Sequence, residues 1–81
     1  MTNQQIEDFL TPEILPKVIN ISFKVRNNVK GMFLTTGDFE DLKTKNLWRI
    51  IPEGRLEEWN KTRNMSLARI YNGSEFTKLK V

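Results

Sequence analysis

The chain has 81 residues, of which 38% are hydrophobic and 28% charged, and its net charge is +3. This length and composition predict one globular domain over residues 1–81 with a thin hydrophobic core. No apolar run is long enough to cross a membrane and no signal peptide opens the sequence, so we expect a protein with no membrane partner.

The sequence contains neither cysteine nor histidine. Without cysteine there is no disulfide and no thiolate metal site, and a cytoplasmic location is the simpler expectation. Without histidine the chain lacks the commonest metal ligand and the side chain best suited to proton transfer near neutral pH. We therefore expect no enzymatic activity and no cofactor.

The first predicted element is a short amphipathic helix over residues 3–10. Its sequence begins with the spacing of a capping box, in which the first and fourth residues satisfy each other's backbone N–H groups. Apolar residues then follow at helical spacing on one face, and Pro12 ends the helix. The capping pair is Thr2 and Gln5, and the apolar residues are Ile6, Phe9 and Leu10. We expect this face to cover the core, although it is also suited to a partner.

A β-hairpin is predicted next, because apolar and polar residues alternate before Asn27-Asn28 and a second β-rich run follows over residues 29–36. The apolar positions of the first strand are Ile19, Ile21, Phe23 and Val25. The second strand contains Met32-Phe33-Leu34, which is apolar on both faces. We therefore expect the first strand to bury one face and the second strand to be covered on both.

The turn of this hairpin leaves two registers open. A two-residue turn pairs Val25 with Lys30, and a one-residue bulge pairs Val25 with Val29 instead. A slip of one residue moves every side chain to the other face, so only one of the two is compatible with the core. We favour the bulge, which places Gly31 opposite Phe23, where a strand bends closely over its neighbours.

The middle of the chain is predicted to contain a short helix, a strand and a second helix. Asp38 follows a turn signal and is suited to cap a helix that carries Phe39 and Leu42. The strand covers residues 47–51 and ends at Pro52. The next helix covers residues 55–63 and is docked by Leu56 and Trp59. We expect Trp48 and Trp59 to anchor the core.

The end of the chain carries the clearest hairpin signal, since Asn72-Gly73 is typical of a type I′ turn. One face of this hairpin would carry Ala68, Ile70, Thr77, Leu79 and Val81. The other face would carry Leu67, Arg69, Tyr71, Phe76, Lys78 and Lys80. Together the elements predict a mainly β fold: a small SH3-like antiparallel barrel of about five strands, with an N-terminal helix and short helical inserts.

Part of the first hairpin resembles the Sm-like barrels, the group that contains the bacterial RNA chaperone Hfq. The residues that carry the resemblance are Ile21, Phe23, Lys24, Asn27, Val29, Gly31 and Phe33, followed by Asp38. The resemblance implies a helix before an Sm-like barrel, and it brings RNA as a candidate partner. The second Sm motif places Arg directly before Gly, whereas Arg69 and Gly73 lie apart in this chain.

The whole chain is also similar to short bacterial proteins that share the pattern NLWRI … LARIYNGSEFTKL, some of which are labelled short-chain dehydrogenases. Such enzymes need a glycine-rich turn to bind pyrophosphate, but Gly37 is followed by Asp38-Phe39 and the turn contains no second glycine. The Tyr-x-x-x-Lys motif of that family is absent too, since Glu75 lies four residues after Tyr71. The residues therefore do not support a dehydrogenase.

Two functional interpretations follow from the surface residues. The first is a small non-catalytic binding module whose partner is a protein or a second copy of the chain. The second is a nucleic-acid-binding barrel, because basic side chains interleaved with an aromatic one on a sheet can bind phosphates and stack on bases. The candidate nucleic-acid-binding residues are Lys24, Arg26, Arg69, Tyr71, Lys78 and Lys80.

Overall fold

A computed structural model describes residues 1–81 and contains three α-helices and five β-strands. The elements are α1 (Asn3–Phe9), β1 (Ile19–Phe23), β2 (Val29–Phe33), α2 (Phe39–Thr44), β3 (Leu47–Pro52), α3 (Leu56–Thr62), β4 (Arg69–Asn72) and β5 (Phe76–Lys80). Single 3₁₀ turns lie at Glu53–Arg55, Met65–Leu67 and Gly73–Glu75. No helix combines the length and the apolar character that a membrane crossing requires.

All five strands belong to one antiparallel sheet with the spatial order β4-β3-β2-β1-β5. β4 and β5 are therefore its two edges, although only the turn Gly73–Glu75 separates them along the chain. Neighbouring strands lie about 4.8 Å apart, so a link this short requires the sheet to curl strongly. No ladder joins β4 to β5. The mainly β fold of five strands with a leading helix is confirmed, and closure into a barrel stays a prediction.

The hairpin predicted at Asn72-Gly73 is wrong. β4 pairs with β3, and β5 pairs with β1. Neither turn residue has the positive φ that a type I′ turn requires. Instead the Asn72 side chain accepts a hydrogen bond from the backbone N–H of Ser74 at 3.0 Å, which starts a 3₁₀ turn. Gly73 is needed for space, because a Cβ there would lie 2.5 Å from Ile6 Cδ1 and 2.7 Å from Trp48 Nε1.

Both registers predicted for the first hairpin are also wrong. β1 pairs Ile19 with Gly31 and Ile21 with Val29, and residues 24–28 form a loop. The difference from the bulged register is an even number of residues, so Val29 and Gly31 still lie opposite the apolar positions of β1. Val25, expected on the buried face, lies beyond the end of β1 and is 91% exposed.

A bulge in the pairing of β1 with β5 decides which side chains of β5 are buried. Ser22 pairs with Lys78, but Phe23 pairs with Phe76, so one residue of β5 is extra. Phe76 and Leu79 are consequently both buried, at 1% and 7% exposure. The sequence placed these two residues on opposite faces, and this prediction is wrong because alternation was counted without the bulge.

The core lies on both faces of the β2–β3 pair. On one face, Trp48 and Ile50 belong to the main cluster, which α1 covers with Ile6. On the other face, Ile51 packs with Leu34 and with Trp59 of α3. Adjacent residues of a strand point to opposite faces, which is why Ile50 and Ile51 enter different clusters. The predictions that strand two is covered on both sides and that both tryptophans anchor the core are confirmed.

Hydrogen bonds at the start of α1 fix the N-terminal segment. The capping box of Thr2 and Gln5 is present as predicted, with hydrogen bonds of 3.1 and 2.9 Å. The Met1 ammonium donates to the carbonyl oxygens of Gly73, at 3.1 Å, and Phe76, at 2.7 Å. Asn46 donates to the Met1 carbonyl oxygen at 3.0 Å. The prediction that this helix covers the core is confirmed, since Ile6 is fully buried.

Candidate functional site

The six candidate nucleic-acid-binding residues do not lie on one face of the sheet. Tyr71 pairs with the buried Trp48, whereas Lys78 and Lys80 pair with Ser22 and Asn20 on the outward face. Arg26 and Tyr71 come together, with the guanidinium carbon 5.3 Å from the ring centroid. Lys78 and Lys80 lie on β5, and Lys24 is exposed just beyond the end of β1. The face of the last hairpin that was expected to carry Arg69, Tyr71, Lys78 and Lys80 is therefore divided between separate surfaces.

The first surface is a groove between the β1–β2 loop and β4, which we call the Arg26 groove. Its volume is about 350 Å³. It is lined by Phe23, Val25, Arg26, Ile70, Tyr71, Asn72 and Glu75. Four of these residues are hydrophobic. A concave, partly apolar surface with a few polar groups is typical of binding sites.

A cluster of aromatic rings in tilted and edge-to-face contact forms the floor of the Arg26 groove. The Phe23 ring lies 5.6 Å from that of Tyr71 and 5.1 Å, edge to face, from that of the buried Phe76. The Arg26 guanidinium carbon lies 5.1 Å from the Phe23 centroid. Cation–π contacts and ring packing of this kind hold a guanidinium in place while its N–H donors remain free for a partner.

Two aliphatic side chains stand exposed beside this stack. Val25 is 91% exposed and Ile70 is 48% exposed. The loop that carries Val25 is attached to the 3₁₀ turn, because the Lys24 backbone N–H donates to the Glu75 carbonyl oxygen at 3.0 Å. Arg26 is in none of the ion pairs of the chain. The groove thus combines unburied apolar area with an uncompensated cation.

The second surface is the outward face of β5, β1 and β2, which we call the lysine face and define by Lys30, Lys78 and Lys80. Asn20 pairs with Lys30 on one side and with Lys80 on the other, and Ser22 pairs with Lys78. None of the three lysines is in an ion pair. Between them the buried Oδ1 of Asn20 has no hydrogen-bond donor. No aromatic ring lies on this row, so it offers charge without a stacking platform.

Five of the ten acidic residues form ion pairs outside these two surfaces. Arg49 donates to both carboxylate oxygens of Asp38, at 3.2 and 2.7 Å. These hydrogen bonds, together with the charge of Arg49, lower the pKa of Asp38 below its ordinary value. Lys43 lies between Glu40 and Glu7. No group of three potential metal ligands among Asp and Glu residues comes together in the chain.

The sequence indicated Arg26 and Tyr71 but missed the rest of the groove. Phe23 was assigned to the core, yet it is half-buried and forms the floor beneath Arg26. Val25 and Ile70 were counted as members of alternating strands. One feature of the sequence could have indicated that Val25 is exposed. Val25 lies between two basic residues, close to the turn-forming Asn27-Asn28.

No protein-family model, no curated protein and no solved structure matches this chain. The resemblance to Sm-like barrels and to the short bacterial proteins therefore stays a prediction.

Proposed function

We propose that this protein is a non-catalytic binding module that takes an extended segment of a partner protein in the Arg26 groove. The observation that carries the proposal is the juxtaposition, in one groove, of two exposed aliphatic side chains and an arginine stacked on two aromatic rings. Exposed apolar side chains that cluster next to arginine and tyrosine are typical of protein interfaces.

The charges of the groove define the chemistry of the segment. Arg26 is stacked and unpaired, so it is suited to a bidentate contact with an Asp or Glu side chain of the partner. Val25 and Ile70 provide apolar area for aliphatic or proline side chains on either side of that contact. Glu75, which also lines the groove, disfavours a second acidic residue at its own end. The segment is therefore mainly apolar and carries a single acidic residue.

The groove is small, so the interaction is expected to be weak. An interface limited to the residues of this groove falls below the area of stable protein complexes, and roughly micromolar affinity is typical of that class. The stacked rings and the loop contact between Lys24 and Glu75 hold the groove ready before binding. Such preorganisation reduces the entropy that the complex loses.

The test is selection from a random-peptide display library on the intact protein. We expect enrichment of peptides in which an acidic residue is flanked by apolar residues. The double variant Val25→Ser/Ile70→Ser should bind these peptides at least about tenfold more weakly, because two aliphatic contacts are lost. Val81→Ser is the matched control, since Val81 is an exposed aliphatic residue outside the groove.

Three outcomes of this selection would overturn the proposal. One is the absence of any enriched motif, and another is a motif without an acidic residue. The third is an equal loss of binding in the Val81→Ser control. Light scattering on the free protein tests whether the groove binds a second copy of the chain instead. A dimer that Val25→Ser/Ile70→Ser abolishes would show that it does.

Closure of the sheet into an SH3-like or Sm-like barrel is part of the same proposal. It is supported by the short link between the two edge strands and by Phe23 of β1, which reaches both Tyr71 of β4 and Phe76 of β5. Nuclear Overhauser contacts between backbone protons of β4 and β5 would establish a closed barrel. Their absence would leave an open, curled sheet.

The lysine face favours a second candidate function, the binding of RNA. Three unpaired lysines on one sheet face give an electrostatic surface for phosphates. In a gel-shift series, RNA affinity should fall steeply with salt, and Lys78→Gln/Lys80→Gln should weaken it. Lys61→Gln is the control, because Lys61 lies on α3 and is paired with Glu57. No shift at low salt would end this candidate.

A further inference from the structure

A second cavity lies between α3 and the end of β2, on the sheet face that also carries Lys30 and opposite the main core cluster. We call it the Trp59 pocket. Its volume is about 340 Å³. The residues that matter for its chemistry are Leu15, Met32, Leu34, Trp59 and Arg63. Leu34 and Trp59 are buried members of the second core cluster, with Met32 packed against them. The part of the pocket lined by these side chains is therefore apolar, while Thr35 and Thr36, which also line it, are polar.

A cation lies over this apolar interior. The Arg63 guanidinium carbon is 5.4 Å from the centroid of the Trp59 ring. Arg63 ends α3 with a left-handed backbone, φ 54° and ψ 30°, an uncommon conformation for a residue other than glycine. It is exposed and forms no ion pair. A cation fixed by stacking, next to an apolar hollow, favours a negatively charged partner.

A buried donor gives independent support. Trp59 is 5% exposed, and its indole Nε1–H meets no acceptor in the protein. The contrast is Trp48, whose indole N–H donates to Asn46 Oδ1 at 2.8 Å. Buried polar groups normally have a partner, so an orphaned one calls for an explanation. A bound oxygen atom near the indole would supply the missing acceptor.

We infer that the Trp59 pocket binds a small amphipathic carboxylate, such as a medium-chain fatty acid. The carboxylate would lie between the Arg63 guanidinium and the Trp59 indole N–H, and the apolar chain would lie against Met32 and Leu34. The pocket volume is at the lower end of the usual range for small-molecule sites, which excludes long-chain ligands. This site is separate from the Arg26 groove and does not depend on the function proposed there.

The experiment is a titration of the ¹⁵N-labelled protein with octanoate, followed through the indole N–H signals of the two tryptophans. Trp59→Phe assigns the signals by removing one of them. We expect a saturable shift of the Trp59 signal, with little change at Trp48. 1-Octanol and octylammonium are the parallel probes. Both should bind about tenfold or more weakly than octanoate, because neither forms a charge-assisted contact with Arg63.

Variants isolate the role of the cation. Arg63→Gln should reduce octanoate affinity to that of 1-octanol, and the spectrum itself shows whether the variant is folded. Arg55→Gln is the matched control, an exposed arginine at the other end of α3 with no ion pair. The inference is overturned by a shift that never saturates, by equal shifts at both indoles, by equal affinity for octanoate and 1-octanol, or by an equal effect of Arg55→Gln.

Discussion

At the scale of single residues, the pairing of Asp38 with Arg49 connects the start of α2 to the middle of β3. Asp38 was predicted to cap α2, but its side chain makes no capping hydrogen bond and turns to Arg49 instead. A bidentate arginine–carboxylate pair has better-defined geometry than the other surface ion pairs of the chain. It therefore fixes the loop before α2 against the sheet.

This pair gives the stability of the protein a defined pH dependence. The pKa of Asp38 is lowered in the folded chain, first by the hydrogen bonds from Arg49 and also by its charge. The stabilisation is therefore present above the unfolded pKa of about 3.9 and is lost as the pH falls through the lower folded value. Asp38→Asn should reduce the melting temperature near neutral pH, and the two melting curves should converge in acid.

The control for this effect is Asp41→Asn. Asp41 is exposed and lies 4.0 Å from Lys45 in a pair of the weak surface type. The melting temperature of the Asp41→Asn variant should differ little from that of the wild type at any pH. A constant difference between wild type and Asp38→Asn across the whole pH range would show that the ionised carboxylate is not responsible.

Phe23 and Phe76 provide a second test at this scale. They are in edge-to-face contact, but Phe76 is 1% exposed and Phe23 is half-buried beside the groove. Phe76→Ala should cost about 3–5 kcal/mol, as expected for a core phenylalanine. Phe23→Ala should cost less, about 1.5–3 kcal/mol, because part of its ring already meets solvent. Urea unfolding of both variants checks the order, and equal losses would contradict this assignment.

At the scale of elements, the close pairing of β2 with β3 depends on a single glycine. A Cβ at position 31 would lie 2.5 Å from Ile50 Cγ2 and 2.6 Å from the Ile51 carbonyl oxygen. The backbone oxygen cannot move aside without disturbing the pairing of β2 with β3. Gly31→Ala should therefore destabilise the fold by about 3 kcal/mol through overpacking, measured by chemical denaturation.

Gly54→Ala is the same substitution at a position with open space around it. Its effect on the stability of the fold should have the opposite sign. No atom lies within 4 Å of a Cβ built at position 54, and no glycine of the chain has a positive φ. Restricting the unfolded chain should then stabilise the protein by about 0.4–1 kcal/mol. If Gly31→Ala were as well tolerated as Gly54→Ala, the close approach of β2 to β3 described here would be wrong.

Elements with local signals could be predicted from the sequence, and strand partners could not. α1, β3 and α3 each have a cap, a proline or an apolar spacing inside the element itself, and their positions were predicted to within two residues. The Asn72-Gly73 signal was local too, but long-range pairing of β4 with β3 and of β5 with β1 overrode it. The bulge in β5 could not be predicted from the alternation of apolar and polar residues either, because it depends on the pairing of β5 with β1.

At the scale of the whole molecule, the two core clusters share strands β2 and β3. The main cluster contains Trp48, and the second contains Trp59. Loss of either cluster exposes one face of the same two strands, so we expect a single cooperative unfolding transition. Trp59→Phe leaves only Trp48 as a fluorescent probe, and Trp48→Phe leaves only Trp59.

Each single-tryptophan variant should give the same midpoint by fluorescence and by circular dichroism. The two variants differ in stability, so the comparison is made within each protein. If the Trp59 signal changed before the secondary structure was lost, α3 would unfold as an independent unit. The same result would also place the Trp59 pocket in the less stable part of the fold.

The candidate site was only partly predictable from the sequence, because it is assembled by the overall shape of the sheet. The Arg26 groove is built from the β1–β2 loop, β4 and the turn before β5, which the curl of the sheet brings together. Arg26 and Tyr71 were identified by residue type alone. Their neighbours Val25 and Ile70 lie 45 positions apart, as the numbering shows, and no local pattern connects them.

The pairing of β1 with β5 has a consequence for folding during synthesis on the ribosome. Translation delivers the two partners in the order of their codons, and Phe76–Lys80 is made long after Ile19–Phe23. Until then the backbone N–H and C=O groups along one side of Ile19–Phe23 have no hydrogen-bond partner. The nascent chain therefore exposes an unpaired strand edge that is prone to aggregation. The sheet therefore cannot form completely before Phe76–Lys80 has been synthesised.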